Sequence, residues 1–323
     1  MLNFLEKFKQ QNVLVFGDII ADTYEFGMIK RMSREAPIPI VEFQSEKTVP
    51  GGAGNVLYNL KSLSANPIPV SVIGTDSNGQ NLLDCFKIKA IETDGIITTE
   101  TVHTTTKRRI LAQGEHTVRQ QILRLDRLPD KALDDNVLSQ LWDIYIQKIE
   151  SVQAIIISDY HLPAFPENFL IKVANYAVQK GKLVVVDSRH RLLKFKNVSL
   201  VTPNLAETEE ALGKELKNED DLKNAAISIQ NQINSRLVLI TLGDQGMALL
   251  DWNQNFEIIP VFSKQEVFDV SGAGDTVVAA ITLGIISGMQ PIEAAKFSNI
   301  AAGIVVRKLG TATVSLEEIK PLI

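Results

Sequence analysis

Short unbroken apolar runs recur along this chain, each followed by a stretch of helical period, and that alternation limits the folds open to it. Ala154–Ile157, Leu183–Val186, Leu200–Val201 and Leu237–Thr241 are such runs; a strand without a polar face must be covered on both sides. Val13–Phe16 and Ile68–Ile73 read as two further strands. Helical patterns fall at Gly54–Leu63, Asn78–Ile91, Asp134–Ile149, Glu167–Gln179, Leu205–Leu212 and Asp220–Ile233, and two more near Thr276–Ser287 and Pro291–Val306 close the chain. Strands and helices in this order build right-handed crossovers, hence an α/β fold with a mainly parallel sheet between two helical layers.

Two segments break the alternation. Thr23 to Val49 and Thr98 to Arg127 carry hairpin-like β patterns that the main sheet does not need. No repeat, low-complexity tract or long linker divides the chain, so residues 1–323 are expected to form one domain.

Composition narrows the function. A net charge of −5 argues against nonspecific nucleic-acid binding. The single cysteine, Cys85, excludes an intrachain disulfide, and no Cys/His cluster suggests zinc. The first residues, Met1 to Gln11, are not a signal peptide, and no apolar run approaches the roughly 20 residues that span a bilayer, so a cytoplasmic protein without membrane or nucleic-acid partners is expected. The chain contains neither Gly-x4-Gly-Lys-Ser/Thr nor, after the first strand, Gly-x-Gly-x-x-Gly. It is therefore not a P-loop kinase, and a dinucleotide-dependent oxidoreductase is disfavoured.

The densest chemistry lies in Asp269-Val270-Ser271-Gly272-Ala273-Gly274-Asp275-Thr276, directly before an apolar helix. Two glycines allow a tight turn that aims the first N–H groups of the helix, with its positive dipole end, at one point. Asp275 at the rim of that anion hole is placed to take a proton from an attacking hydroxyl, while Gly272, Ala273 and Gly274 supply the hole. In open α/β sheets ligands bind beyond the carboxyl ends of the strands. Asp18 follows the first strand, and Gly51, Gly52 and Asn55 sit in a glycine-rich turn that opens a helix. Asp159 ends another strand, Asn204 and Glu207 follow the next in Thr202-Pro203-Asn204-Leu205-Ala206-Glu207, and Thr241, Gly243 and Gly246 follow the last.

Together these motifs resemble the ribokinase-like (PfkB-type) carbohydrate kinases. The resemblance implies a three-layer α/β/α sandwich with a small β lid, formed by residues 23–49 and 98–127, over the sugar and at a homodimer interface. It implies ATP and Mg2+ as cofactors, with K+ in several members. Asp18, Gly51, Gly52, Asn55 and Asp159 would then bind the sugar. Asn204, Thr241, Gly243, Gly246 and Asn299, the last in a small-residue helix, would bind the nucleotide. Glu207 would orient magnesium through water, and Asp269, with Ser271, would lie near a monovalent cation.

Nearly the whole chain further resembles the D-glycero-β-D-manno-heptose 7-phosphate kinases, through Gly17–Tyr24, Ser33–Val41, Arg124-Leu125-Asp126, Ser158-Asp159-Tyr160 and Lys308–Ser315. Those enzymes phosphorylate the anomeric hydroxyl of a precursor of the lipopolysaccharide inner core. Many are fused to a nucleotidyltransferase with a His-x-Gly-His motif; that motif does not occur here, and the kinase alone is expected. Three positions depart from the pattern. His161-Leu162-Pro163 replaces a Lys-Gly pair, Asp187-Ser188-Arg189 replaces Asp-Pro-Lys, and Thr23 replaces an Arg. Lys107, Arg108, Arg109, Arg189 and His190 are the basic groups nominated to meet a substrate phosphate instead. A kinase of an unphosphorylated sugar or nucleoside, and a non-catalytic ligand sensor, are the alternatives.

Overall fold

A computed structural model of the chain describes residues 2–114, 118–262 and 269–323. The main sheet has nine strands: β1 (Asn12–Gly17), β4 (Asn66–Gly74), β5 (Ile96–Thr99), β8 (Ala154–Asp159), β9 (Leu183–Ser188), β10 (Leu200–Val201), β11 (Leu237–Thr241), β12 (Met247–Leu250) and β13 (Phe256–Ile259), in the order β13-β12-β11-β10-β9-β8-β1-β4-β5. From β5 to β11 every neighbour is parallel, while β12 and β13 run antiparallel at one edge. The parallel strands, buried on both faces, carry the apolar runs seen in the sequence.

Each face has its own core. One side packs Phe8, Leu57, Leu60 and Phe86 with the helices Ala273–Ile286 and Pro291–Val305. On the other, Phe16 sits among Tyr145, Phe165 and Phe169, with ring centroids 5.4–6.0 Å away. Helices Asp135–Lys148, Glu167–Gln179 and Glu219–Ile233 cover this second face.

A separate four-stranded sheet, ordered β3-β2-β6-β7, is made by β2 (Ile19–Met32), β3 (Pro39–Gly52), β6 (Thr106–Gln113) and β7 (Gln120–Arg127). β2 pairs antiparallel with β3 and parallel with β6. The segments differ at their edges from the sequence reading. β2 and β3 extend inward to Ile19 and Gly52, beyond Thr23 and Val49. Thr98, taken as the start of the second segment, belongs to β5 of the main sheet, because Ile96–Thr99 pairs with Ser71–Gly74. Residues 115–117 of that segment lie outside those described.

Close approach at the carboxyl edge of the sheet depends on glycine. At Gly17, whose φ is +148°, a Cβ would lie 1.9 Å from the Ser158 carbonyl oxygen. The missing side chain lets β1 stay paired with β8 through Gly17 and Ser158, so Asp18 and Asp159 follow side by side.

Candidate functional site

The first of the two long closing helices starts earlier than its apolar pattern suggests. It spans Ala273–Ile286, with Gly272 as N-cap at φ +80°, so Asp275 lies in the first turn. A left-handed cap suits glycine. Here the space is restricted too, since a Cβ on Gly272 would meet Asn55 Nδ2 at 2.4 Å. Asn55 comes from the helix Ala53–Ser62 and donates to Asp275 Oδ2 at 2.8 Å. One turn on, Asn59 accepts from Thr276 Oγ1 at 3.0 Å and donates to the Asn55 backbone oxygen at 3.0 Å. The second oxygen of Asp275 accepts from Tyr160 Oη at 3.0 Å.

Asp275 is buried, and removal from water raises its pKa to about 6, against the lowering pull of the Asn55 and Tyr160 bonds. A carboxylate that titrates just below neutrality beside a helix N-terminus can hold a proton transiently. Gly274 borders the adjoining cavity, and a side chain there would meet nothing within 4 Å, so its absence leaves the cavity open.

The strand-end carboxylates gather around this point. Asp18 Oδ2 accepts from the Tyr160 N–H at 2.8 Å, and burial, then the charge of Asp159, raises the Asp18 pKa to about 7. Asp159 accepts from the His161 N–H at 2.9 Å and from Ser188 Oγ at 2.7 Å, with Arg191 at 3.6 Å. Both oxygens of Asp159 therefore order the loops at this edge as well as facing the cavity. Gly51 and Gly52, at the inner end of β3, pair with Ile20 and Ile19 and are buried.

Two cavities join across Thr241, Gly243, Val270 and Gly274. The first, of about 440 Å³, is bounded by Asp159, Tyr160, Asp187, Arg189, Glu207 and Asp275. The second, of about 720 Å³, is bounded by small and apolar residues including Gly246, Val261, Asn299, Ala302 and Gly303. Asn204 and Glu207 form a capping box at the helix Leu205–Leu212, each accepting the other's N–H at 2.9 Å. A lone β-bridge sets Asn204 beside Thr241. Glu207 also lies 4.0 Å from Arg189. Asn299 Nδ2 donates to the Pro260 carbonyl at 2.7 Å and so fixes the far wall. Asp269 accepts from the Ser271 N–H at 2.8 Å and the Gly310 N–H at 3.0 Å, which ties two loops together.

The basic residues separate into two sets. Arg108 pairs with Glu25 at 3.1 Å, and Arg109 pairs with Asp22, so two of the three guanidinium groups nominated for a substrate anion already hold carboxylates of β2. Lys107 Nζ lies 5.0 Å from the Tyr160 ring centroid and Arg189 Cζ 4.5 Å from it. Burial lowers the pKa of Lys107. His190 Nδ1 is 2.6 Å from Glu210 and its ring abuts that of His161.

Tyr160 and Asp187 are the members of the site that the sequence did not single out. Asp187 is the penultimate residue of β9 and Asp159 the last of β8, so the strand-end rule would have found it. Burial, then Glu207 and Asp275, raises its pKa to about 8. Tyr160 follows a strand end as Asp18 does, but nothing in the sequence shows that its hydroxyl reaches Asp275 across 115 residues.

The family model described as "pfkB family carbohydrate kinase" matches residues 10–319. The bifunctional protein HldE of Helicobacter pylori (strain HPAG1) is 38% identical over 310 residues, which cover 96% of this chain and 65% of that protein. The protein of the same name from a Nitratiruptor species is 36% identical over 309 residues, 95% of this chain and 64% of that one. The chain thus spans just under two thirds of the length of these relatives. Among solved structures, phosphofructokinase-2 from Escherichia coli in complex with substrates and products superposes with a TM-score of 0.78 at 20% identity, covering 97% of this chain and 98% of that one. Ribokinase from Arabidopsis thaliana complexed with ribose and ATP gives 0.74 at 18% identity, covering 96% and 98%. The fold is ribokinase-like.

Proposed function

Because the chain belongs to the pfkB family of carbohydrate kinases, and is thus a phosphotransferase with an alcohol acceptor, we propose that it transfers the γ-phosphoryl group of ATP to the anomeric hydroxyl of D-glycero-D-manno-heptose 7-phosphate. In this reading Asp275 takes the proton of the acceptor hydroxyl as its oxygen bonds to the γ-phosphorus and the bond to the departing ADP breaks. The helix N-terminus at Gly272, Ala273 and Gly274 faces the negative charge that moves across the phosphoryl group. Asn55 and Asp18 flank the acceptor, and the larger cavity, with Thr241, Gly243, Gly246 and Asn299, takes the nucleotide. Asp275→Asn should keep ATP binding and lower kcat by roughly 10²–10⁴-fold; near-wild-type turnover would sink the assignment.

One observation carries the phosphorylated acceptor. Lys107 from β6 and Arg189 from beyond β9 both lie against the ring of Tyr160, whose hydroxyl meets Asp275. Like charges held near one another favour an anion between them. Charge-assisted bonds to such a group contribute about 1.5–3 kcal/mol each. Arg189→Ala should therefore raise KM for heptose 7-phosphate roughly 10- to 100-fold and hardly affect the unphosphorylated sugar. Equal kcat/KM for the two sugars on the wild-type enzyme would favour the unphosphorylated-sugar alternative.

Magnesium fits the nucleotide side. Glu207 and Asp187 offer carboxylate oxygens to one cavity, and magnesium binds with few protein carboxylates when water and phosphate complete its shell. Bound with ATP, the ion would neutralise phosphate charge. Both oxygens of Asp269 already accept N–H bonds, so a potassium ion there rests on the family resemblance alone. Glu207→Gln should raise the magnesium concentration for half-maximal rate and leave acceptor KM unchanged. The reverse pattern moves Glu207 to the acceptor side, and equal rates in potassium, sodium and choline salts remove the potassium ion.

The four-stranded sheet is read as the lid, since it delivers Lys107 to the acceptor side. Met32, Ile38, Phe43, Leu123 and Leu125 of its strands and turns are exposed, and an apolar patch of this kind supports association through the lid. Sedimentation velocity at micromolar concentration should give a homodimer; a monomer that retains full activity would overturn that reading.

A further inference from the structure

We propose that Tyr160 is a positioning residue for phosphoryl transfer: its hydroxyl holds the Asp275 carboxylate in line, and the cations on its ring hold Tyr160. This rests on the reading of Asp275 as the base. Asp275 is tethered at both oxygens, by Asn55 Nδ2 at 2.8 Å and Tyr160 Oη at 3.0 Å. Two donors from separate elements fix the rotation of a carboxylate that one donor would leave free, and each oxygen retains a lone pair for the acceptor proton. A donor bonded to an ionised group is also among the stronger hydrogen bonds a protein makes.

Tyr160 is itself restrained at three points. Its N–H donates to Asp18 Oδ2 at 2.8 Å, which fixes the backbone at the end of β8. Lys107 and Arg189 rest against the ring, and cations over an aromatic face are attracted to it. His161 then turns the chain away in the left-handed region, at φ +57°, with its N–H on Asp159. The ring therefore reaches across to Asp275 from a fixed base. Because the same two cations are the ones read as meeting the acceptor's phosphate, the anchoring of that anion and the alignment of the base share one side chain.

The charged groups facing Asp275 are Asp22 from β2, Asp187 at the end of β9, and Arg189. Burial and the charge of Asp22 favour the protonated acid, whereas the Asn55 and Tyr160 bonds and Arg189 favour the carboxylate; Asp187, whose own pKa is about 8, is mostly protonated where Asp275 titrates. Losing the Tyr160 hydroxyl shifts that balance toward the acid. The reactive form is the carboxylate, so activity appears as pH rises through the Asp275 pKa of about 6, and the loss of one such bond moves this limb upward.

The test is Tyr160→Phe beside wild type and Asp275→Asn, read in two ways. Carboxyl-carbon NMR of aspartate-labelled protein follows Asp275 directly, its resonance being the one missing from Asp275→Asn. Initial rates from pH 5 to 9 use whichever of the two acceptors named above the wild type prefers. In Tyr160→Phe the Asp275 titration should rise by about one to two pH units. Its kcat at pH 7 should fall by at least roughly two- to tenfold and recover only in part above about pH 8.5, the remaining deficit reporting the lost alignment, with acceptor KM within about twofold of wild type. An unmoved titration overturns the inference. So does a raised KM with unchanged kcat, which would make Tyr160 a substrate contact, or a lowered KM with an unmoved limb, which would make its hydroxyl a stand-in for the acceptor. If Asp275→Asn keeps its turnover, the base assignment fails, whatever the NMR titration shows.

Discussion

Two helix N-termini meet at the carboxyl edge of the sheet, and the site depends on how closely they approach. Asn55 and Asn59 face Gly272, Asp275 and Thr276 across 217–220 residues of chain. The contact works because Gly272 has no side chain; any Cβ there would occupy the place of the Asn55 amide. Both asparagines are buried, and a buried amide without partners would be costly. Each finds its partners only if the two helices dock in this register. Burial of polar groups thus makes the register of the two helices specific, which apolar packing between Val56, Leu57 and the Ala273–Ile286 helix would do less sharply.

The same edge concentrates negative charge. Asp18, Asp159, Asp187 and Asp275 stand at successive strand ends or the facing helix start, and burial raises the pKa of three of them, Asp18, Asp187 and Asp275. So many carboxylates withdrawn from water would oppose folding if all were ionised and unpaired. The structure offsets this in three ways: by backbone N–H donors, by Arg191 and Arg189, and by letting part of the cluster remain protonated near neutral pH. A cavity of this kind favours cations and proton exchange. It would repel a polyphosphate on its own, so the helix N-terminus at Gly272 and basic side chains have to offset that charge.

Much of the main sheet was legible because its strands are buried on both faces and its helices amphipathic; the six strands and eight helices read from the pattern all exist within a few residues of the expected bounds. The three strands of the main sheet that were missed, β5, β12 and β13, have four residues each. At that length periodicity has almost nothing to work on, and only pairing with a neighbour defines them. The glycine-rich turns were legible because tight geometry writes itself into residue type. Tyr160 was not, since a tyrosine after a strand is unremarkable until its hydroxyl is seen on Asp275.

The basic cluster shows the same limit from another side. Strand alternation alone separates Arg108 from Lys107 and Arg109, yet it cannot say which charge is free. That is decided by the parallel register of β2 against β6, which sets Asp22 opposite Lys107 and Glu25 opposite Ile110. Long arginine side chains then reach diagonally, Arg109 to Asp22 and Arg108 to Glu25. Asp22 is taken by Arg109, and Lys107 lies against Tyr160. Asp275 and its glycine cap are built by a helix of the main fold, but the cation set against Tyr160 from β6 depends on how a second sheet is registered. A one-residue slip of β6 would exchange the faces of Lys107 and Arg108. On the proposed reading of Lys107 and Asp275, acceptor preference can therefore change through that register while the helix N-terminus at Gly272 stays as it is.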